Sequence, residues 1–503
     1  MTDSLSMWRL RLGSLLAAMS ETVQIANEVK KERSADIEAK VNKQQLNRQE
    51  ENRLYEPLLE TTQIKLCHGL LDSLLTFTDD AGDFFLTRFF GEQETLLDEA
   101  EQFRHRFIMR TIFYQASRDL SIIQHAINQR RHLDGKPTLL SLGLALADRV
   151  ATLAVHPLIR AGYLPDSTNV ICYLDKNVRA RLVPYDDTLL ISIASDSLQY
   201  ATSDARHNPH TAPEIIAPNG PSRNLIVLLH EIGHHLYWNG RIPNTNTFIY
   251  QALHQKAKDL GITHPREWRL RWLEEIFADA YALMQGGPAV VLDFQEMLTD
   301  DLPDHFSEDT DKHPIPEIRP LLQTNFLRKI RNIDGSPTYT QMPDRLDANW
   351  HALIGQDAET RSYRVHSRKP APGTDILQAL DSILEIVLDV LKPLSPHSAN
   401  VGPWSTDSAP EHNLGELYAQ FAAVAGPQPD DLFVAYFFDE LTDPAVKALY
   451  DKKFSTTPKT FVQRVEELTG TTPANAPNDD WIDTFLSQGW STEGPESGGG
   501  WKG

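Results

Sequence analysis

Apolar positions recur with a helical period over much of the chain. Residues 15–56 contain no Pro, and Leu15, Leu16, Met19, Val23, Ile25 and Ala26 form an apolar side. That side gives way to a mixed-charge stretch from Lys30 to Glu56, in which Lys30, Lys31, Arg33, Lys40 and Lys43 alternate with Glu32, Asp36 and Glu38. The pattern predicts one long, partly exposed helix or coiled-coil arm. Such an arm either packs as a solvated helix on its own domain or serves self-association and partner binding. Further helices are expected over Leu58–Phe77 and Thr95–Asn128, before Gly135-Lys136-Pro137 breaks the pattern.

A helical period resumes from Pro137 to Tyr163, and then the signal changes. Val170–Leu174, Ala180–Val183 and Thr188–Ile193 are short runs of β-branched and aliphatic residues between turn residues, so they read as strands of a small sheet. A polar loop, 195–221, follows. Ser222 is a candidate N-cap for a helix carrying Leu225, Ile226, Leu228, Leu229 and Ile232 and ending at Asn239-Gly240. A second helix is expected over Pro265–Gln285, with Trp268, Trp272, Ile276, Phe277, Ala280 and Leu283 on its buried side; Gly286-Gly287-Pro288 stops it.

Asp300–Asp311 reads as a solvated acidic loop. Beyond it, Leu377–Leu391 is an amphipathic helix, Pro393–Pro410 a linker, Leu414–Ala425 and Asp431–Leu441 further helices, and the Gly-rich end a disordered tail. The expected organisation is an N-terminal helical region (1–136), a central α+β domain with a small sheet (137–335) and a C-terminal helical region (336–503). The whole is α+β and predominantly helical.

Composition narrows the function classes. The chain has 503 residues, with 48 Lys+Arg against 69 Asp+Glu, a net charge of -21. This balance argues against nucleic acid and against anionic lipid as partners, since both need clustered cations. Only Cys67 and Cys172 are present, so no disulfide framework exists, and a reducing, cytoplasmic setting is expected. No apolar run approaches the roughly 20 residues of a membrane span. Met7–Ala18, with Arg9 and Arg11 ahead of Leu15 and Leu16, reads as a helix start rather than a signal peptide.

The chemistry lies in His230-Glu231-Ile232-Gly233-His234. On a helix, residues four apart differ by about 40° in azimuth, one turn along. His230 and His234 can therefore aim two imidazoles at one ion, and neutral imidazole suits zinc. Glu231 is set to take a proton from a water at that ion without binding the ion itself. Catalytic zinc usually takes three protein ligands. The next helix supplies Glu274, Glu275 and Asp279. Glu275 and Asp279 share a face, which makes Glu275 the third ligand and Asp279 the carboxylate that orients a ligand histidine. Glu274, about 100° away, points elsewhere on this reading and is the alternative ligand.

His230-Glu231-x-x-His234 followed by Glu275-x-x-Ala278-Asp279 resembles the gluzincin metallopeptidases. The nearer likeness is to soluble relatives of the CAAX-prenyl endopeptidase group, and it also takes in His313-Pro314 with Arg319 six residues after the histidine. The likeness spans about residues 165–325. It implies one Zn2+ per chain, hydrolysis of a protein or peptide substrate, a role for His313 in stabilising the oxyanion and a supporting role for Arg319. It also suggests that the strand at Thr188–Ile193 is an edge that holds an extended substrate.

Other candidates rank lower. His235 sits about 100° round from His234 and reads as packed or solvated. His254, His264 and Tyr281 lie near the motif helices, where surface and core roles are the ordinary ones. Cys67, beside His68, lacks any prodomain-like context for an inhibitory thiolate. The sequence therefore points to a zinc peptidase, with a catalytically silent zincin-like scaffold as the alternative.

Overall fold

The computed structural model describes residues 2–41, 48–87, 99–131, 138–175, 179–194, 227–263, 267–300, 307, 313–331, 335–355, 357–365, 369–394, 460–470 and 472. The chain forms two compact units. One comprises residues 1–149, 166–194 and 444–503; the other comprises 150–165 and 195–443. This differs from three consecutive regions: the small sheet belongs with the N-terminal helices, and helices beyond residue 336 belong with the histidine motif.

The first unit is built on α1 (Thr2–Val41), α2 (Arg48–Asp83) and α3 (Glu99–Gln129). α1 already starts at Thr2. The stretch expected as one helix to residue 56 is divided between α1 and α2, with 42–47 outside the described residues. Met19, Ala26 and Val29 of α1 are buried with Leu70, Leu74 and Phe77 of α2 and Ile108, Ile112 and Ala116 of α3. The described apolar side of α1 thus packs on its own unit, as a solvated surface helix does.

Helix α4 (Leu139–Arg160) leads to the sheet, β1 (Asn169–Asp175), β2 (Arg179–Leu182) and β3 (Thr188–Ala194). The strand order is β1-β3-β2, with β1 parallel and β2 antiparallel to β3. β3 is therefore the central strand. Both its edges are paired, and the expectation that Thr188–Ile193 receives a substrate strand is overturned. A buried ion pair fastens β1 to the helices. Arg130 Nη2 lies 2.6 Å from Asp148 Oδ2 and donates to the Cys172 carbonyl, while the Cys172 N–H donates to Asp148 Oδ1 at 2.7 Å. The helix Phe461–Thr469 adds to this unit: Phe461 packs on Phe77, Phe84 and Phe85.

The second unit contains α5 (Val227–Asn239), α6 (Ile249–Asp259), the short α7 (Trp268–Arg271), α8 (Leu273–Gly286), α9 (Pro288–Asp300), α10 (Arg319–Lys329), α11 (Met342–Ile354) and α12 (Gly373–Leu391). A two-stranded ladder, Ser362–Tyr363 with Ala371–Pro372, precedes α12. The helix expected over Pro265–Gln285 is broken at Trp272, whose fully buried ring packs on Trp268. α8 is the centre of the unit, with every residue from Glu275 to Gly286 buried. It ends where Gly287 takes φ 58°, a conformation glycine reaches at low cost. Pro288, which cannot continue α8, opens α9 instead.

Among the described residues, no helix is long and apolar enough to cross a membrane. Residues 395–459 and 473–503, which include the expected linker, helices and tail, lie outside the described residues, as does most of the acidic stretch after Asp300.

Candidate metal centre

α5 buries Leu228, Leu229, Ile232, Gly233, Leu236 and Tyr237, and its polar residues His230, Glu231 and His234 remain at a cavity. Gly233 permits the close approach of α8. A Cβ at Gly233 would stand 2.6 Å from Ala278 Cα and 2.9 Å from its carbonyl oxygen. The two helices that carry His230, His234 and Glu275 therefore meet backbone to backbone.

His230 Nε2 and His234 Nε2 lie 3.0 Å apart. Glu275 closes the triangle, with Oε2 3.4 Å from His230 Nε2 and Oε1 3.5 Å from His234 Nε2. A tetrahedral site with metal–ligand bonds of about 2.05 Å has ligand–ligand edges of about 3.3 Å. The three donors fit that triangle. Among the described residues, these three form the group whose donor atoms all lie within 4.8 Å of one another.

The outer ring nitrogens face carboxylates. His234 Nδ1 is 3.0 Å from Glu274 Oε1, which also accepts from Trp238 Nε1 at 2.8 Å. His230 Nδ1 is 3.0 Å from Asp279 Oδ1, an ion-pair contact without hydrogen-bond alignment. A carboxylate at Nδ1 favours the proton there and leaves Nε2 as a lone pair. With that tautomer, two lone pairs and the Glu275 carboxylate face one another, a set able to hold a metal ion. Glu274 consequently does not point elsewhere. It is the partner of His234 as Asp279 is the partner of His230, a role that reading α8 from its azimuths missed.

Arg319, at the start of α10, closes the site from below. Its Nε and Nη2 donate to the two Asp279 oxygens at 2.7 and 2.8 Å, and Nη2 also donates to Glu275 Oε2 at 2.9 Å. Its guanidinium carbon lies 4.5 Å from the Phe294 ring centre. Arg319 therefore touches Glu275 as well as Asp279. His313 is half exposed, and its Nε2 lies 3.2 Å from Glu275 Oε1. It lines the same cavity as Glu231. It is outside the three-donor group.

Charge coupling at the site is strong. At His230, His234, Glu275 and Asp279 burial disfavours the charged form, and the opposite charges outweigh it. Asp279 and Glu275 push the His230 pKa up to about 10 against burial, and Glu275 and Glu274 raise that of His234. Despite its own burial, Glu275 is held well below the usual carboxylate range by His234 and Arg319. Asp279 falls to about 2, with Arg319 and His230 overcoming burial. The partial burial of His313 and the nearby Arg319 charge lower its pKa despite Glu275. The carboxylates thus demand positive charge at the imidazole pair, which a proton or a divalent cation supplies. The donor set, two imidazoles and a carboxylate, suits a divalent transition ion.

The remaining candidates lie elsewhere. His235 is buried, with its Nδ1 3.3 Å from Asn239 Nδ2. His254 Nε2 is 3.0 Å from the Tyr237 hydroxyl. The Tyr281 hydroxyl donates to the Ala154 carbonyl inside the core, and burial raises its pKa well above the usual value. Cys67 and Cys172 are free, buried thiols of the first unit, and burial pushes Cys67 up to about 11. Cys67 is therefore no thiolate ligand. His264 lies outside the described residues.

Comparison with protein-family models, curated proteins and solved structures gave no match to this chain.

Proposed function

We propose that this chain is a zinc-dependent peptidase. The observation that carries the reading is the convergence of His230 Nε2, His234 Nε2 and Glu275 on one point, with Glu231 lining the same cavity. Zinc held there would supply a Lewis acid that polarises a carbonyl and makes water acidic near neutral pH. Glu231 takes a proton from the attacking water and later delivers it to the leaving amine. His313, on a stretch stiffened by Pro314 and Pro316, offers a ring N–H to the developing oxyanion. Asp279 and Glu274 hold the histidine rings in orientation, and Arg319 holds Asp279 and Glu275.

The test compares wild type with Glu231→Gln. Elemental analysis should find one zinc per chain in both. Mass spectrometry of a digested peptide library should find new termini only with wild type, the loss being about 100-fold or more. Wild type purified without chelators and lacking zinc would sink the reading. Zinc in both proteins with cleavage by neither would make the chain a zinc-binding scaffold.

A further inference from the structure

His313 and Arg319 reach the cavity from one short stretch, and that stretch is held from its far side. Ile315 and Ile318 are fully buried, and the Ile318 and Arg319 N–H groups donate to the Ile315 carbonyl at 2.9 and 3.0 Å, so 315–319 is a single tight turn. Glu317 lies within this turn. It is fully buried, yet it does not line the cavity. Its Oε1 accepts from Arg361 Nη1 at 2.7 Å, and its carbonyl accepts from Trp350 Nε1 of α11 at 2.8 Å. The backbone of Arg361 is tied in turn to the start of α12. The Arg361 carbonyl accepts from the Gly373 N–H and the Glu359 carbonyl from the Thr374 N–H, both at 2.9 Å. A Cβ at Gly373 would collide with the Ala358 carbonyl oxygen, so 358–361 and the first turn of α12 meet backbone to backbone.

We propose, on the peptidase reading, that Glu317 and Arg361 are positioning residues: their pair fixes the turn from which His313 faces the cavity and Arg319 grips Asp279 and Glu275. Stability is a poor reason for such a pair. Taking the Glu317 charge out of water offsets most of its attraction to Arg361, whose side chain is 41% exposed, and an apolar residue of similar size would serve the core as well. The pair supplies direction instead, since a charge-assisted hydrogen bond from a planar guanidinium sets both distance and angle. Direction matters at this turn. Two residues on, Arg319 makes three hydrogen bonds to two carboxylates within 2.7–2.9 Å, and any rotation of its backbone breaks that set. The same rotation moves His313, whose Nε2 stands 3.2 Å from Glu275 Oε1. A misplacement of about 1 Å can lower turnover about 100-fold. Arg361 lies beyond the histidine and arginine motifs in the chain, so a turn outside them becomes part of the working site.

The test uses the full chain with zinc and a peptide that wild type cleaves. Arg361→Ala should lower kcat about 10-fold or more while KM stays within about twofold, because the reacting groups are misaligned and the substrate contacts are kept. Arg361→Lys, which keeps the charge, should recover part of the loss. Glu317→Gln, which keeps the shape of the side chain, is the second variant should Arg361→Ala not fold, and it should act in the same direction. A further measurement does not need turnover: competition with a chelator should show zinc held about threefold or more weaker in Arg361→Ala, since Arg319 loosens its hold on Glu275 and Asp279. Lys329→Ala, which removes the surface pairs with Asp381 and Glu385 in the same unit, should change neither kcat nor zinc affinity. Wild-type kcat and zinc affinity in Arg361→Ala, whatever its melting temperature, overturn the positioning role and leave the peptidase reading standing. No cleavage of a peptide library by wild type, with zinc weakened in Arg361→Ala and not in Lys329→Ala, sinks the peptidase and keeps the hold of this pair on Arg319. No cleavage with zinc affinity unchanged or absent overturns both.

Discussion

Gly233 and Ala278 touch backbone to backbone: a Cβ on Gly233 would lie 2.6 Å from the Ala278 Cα. The contact falls between Glu231 and His234 on one helix and between Glu275 and Asp279 on the other. It sets the spacing at which two imidazoles and a carboxylate can share an ion.

Gly233→Ala should therefore force α5 and α8 apart. The expected loss is about 1–3 kcal/mol, the usual cost of overpacking, together with weaker metal retention. Gly69, in α2, has open space where its Cβ would go. Gly69→Ala should stabilise by about 0.5–1 kcal/mol through helix propensity. Urea denaturation of both variants checks the contrast, and equal effects would remove the special role of Gly233.

Glu274→Gln should weaken zinc binding by about 10–100-fold without unfolding the chain, because His234 loses the carboxylate at Nδ1. Trp238→Phe, which removes the indole donor to Glu274, should act in the same direction with a smaller effect. Competition with a chelator measures both. Unchanged affinity in Glu274→Gln would reduce its contact with His234 to a bystander.

Arg319→Ala leaves the buried Asp279 and Glu275 carboxylates without their guanidinium partner. The metal-free chain should lose about 3–5 kcal/mol. Arg319→Lys should recover only part of this, since an ammonium cannot donate to both Asp279 oxygens in the fork geometry of Arg. Thermal unfolding after chelator treatment provides the measurement, and a loss below 1 kcal/mol in Arg319→Ala would contradict it.

Asp148→Ala should cost the first unit about 3–5 kcal/mol, because Arg130 is then a buried, uncompensated cation. Replacing both, as Arg130→Met with Asp148→Leu, should cost less than Asp148→Ala alone. Denaturant unfolding followed by a probe in α3 separates the outcomes.

Burial holds the Cys67 pKa at about 11, against 9.0 for the free thiol. The folded chain thus keeps a proton that the unfolded chain releases. The stability linked to this group is complete below pH 9 and is lost as pH rises through 11. Native Cys67 should not react with Ellman's reagent at pH 8 and should react fully in denaturant. Cys67→Ser should lower the slope of stability against pH between 9 and 11. Rapid labelling of the native thiol would contradict its burial.

Local periodicity determined much of this protein. The 3.6-residue repeat puts His230 and His234 on one side of α5, and the aliphatic runs mark β1, β2 and β3 to within a residue or two. The amphipathic pattern of Leu377–Leu391 foretells α12, which starts slightly earlier at Gly373. These features depend only on neighbours within a few residues. Tertiary packing decided the rest. The runs carry no record of partner order, so the sequence could not show that β3 lies between β1 and β2. Azimuth separates Glu274 from Glu275 by about 100°, yet both reach the histidine pair. Each imidazole offers two nitrogens and the pair spans a full helical turn, so carboxylates on different faces meet different nitrogens. The reach of Arg319 to residues 40 and 44 positions away is a contact between elements, and the break at Trp272, before α8, is not marked by the apolar period. The spacing of a motif says which side chains share a helix face; only the packed helices say where the lone pairs converge.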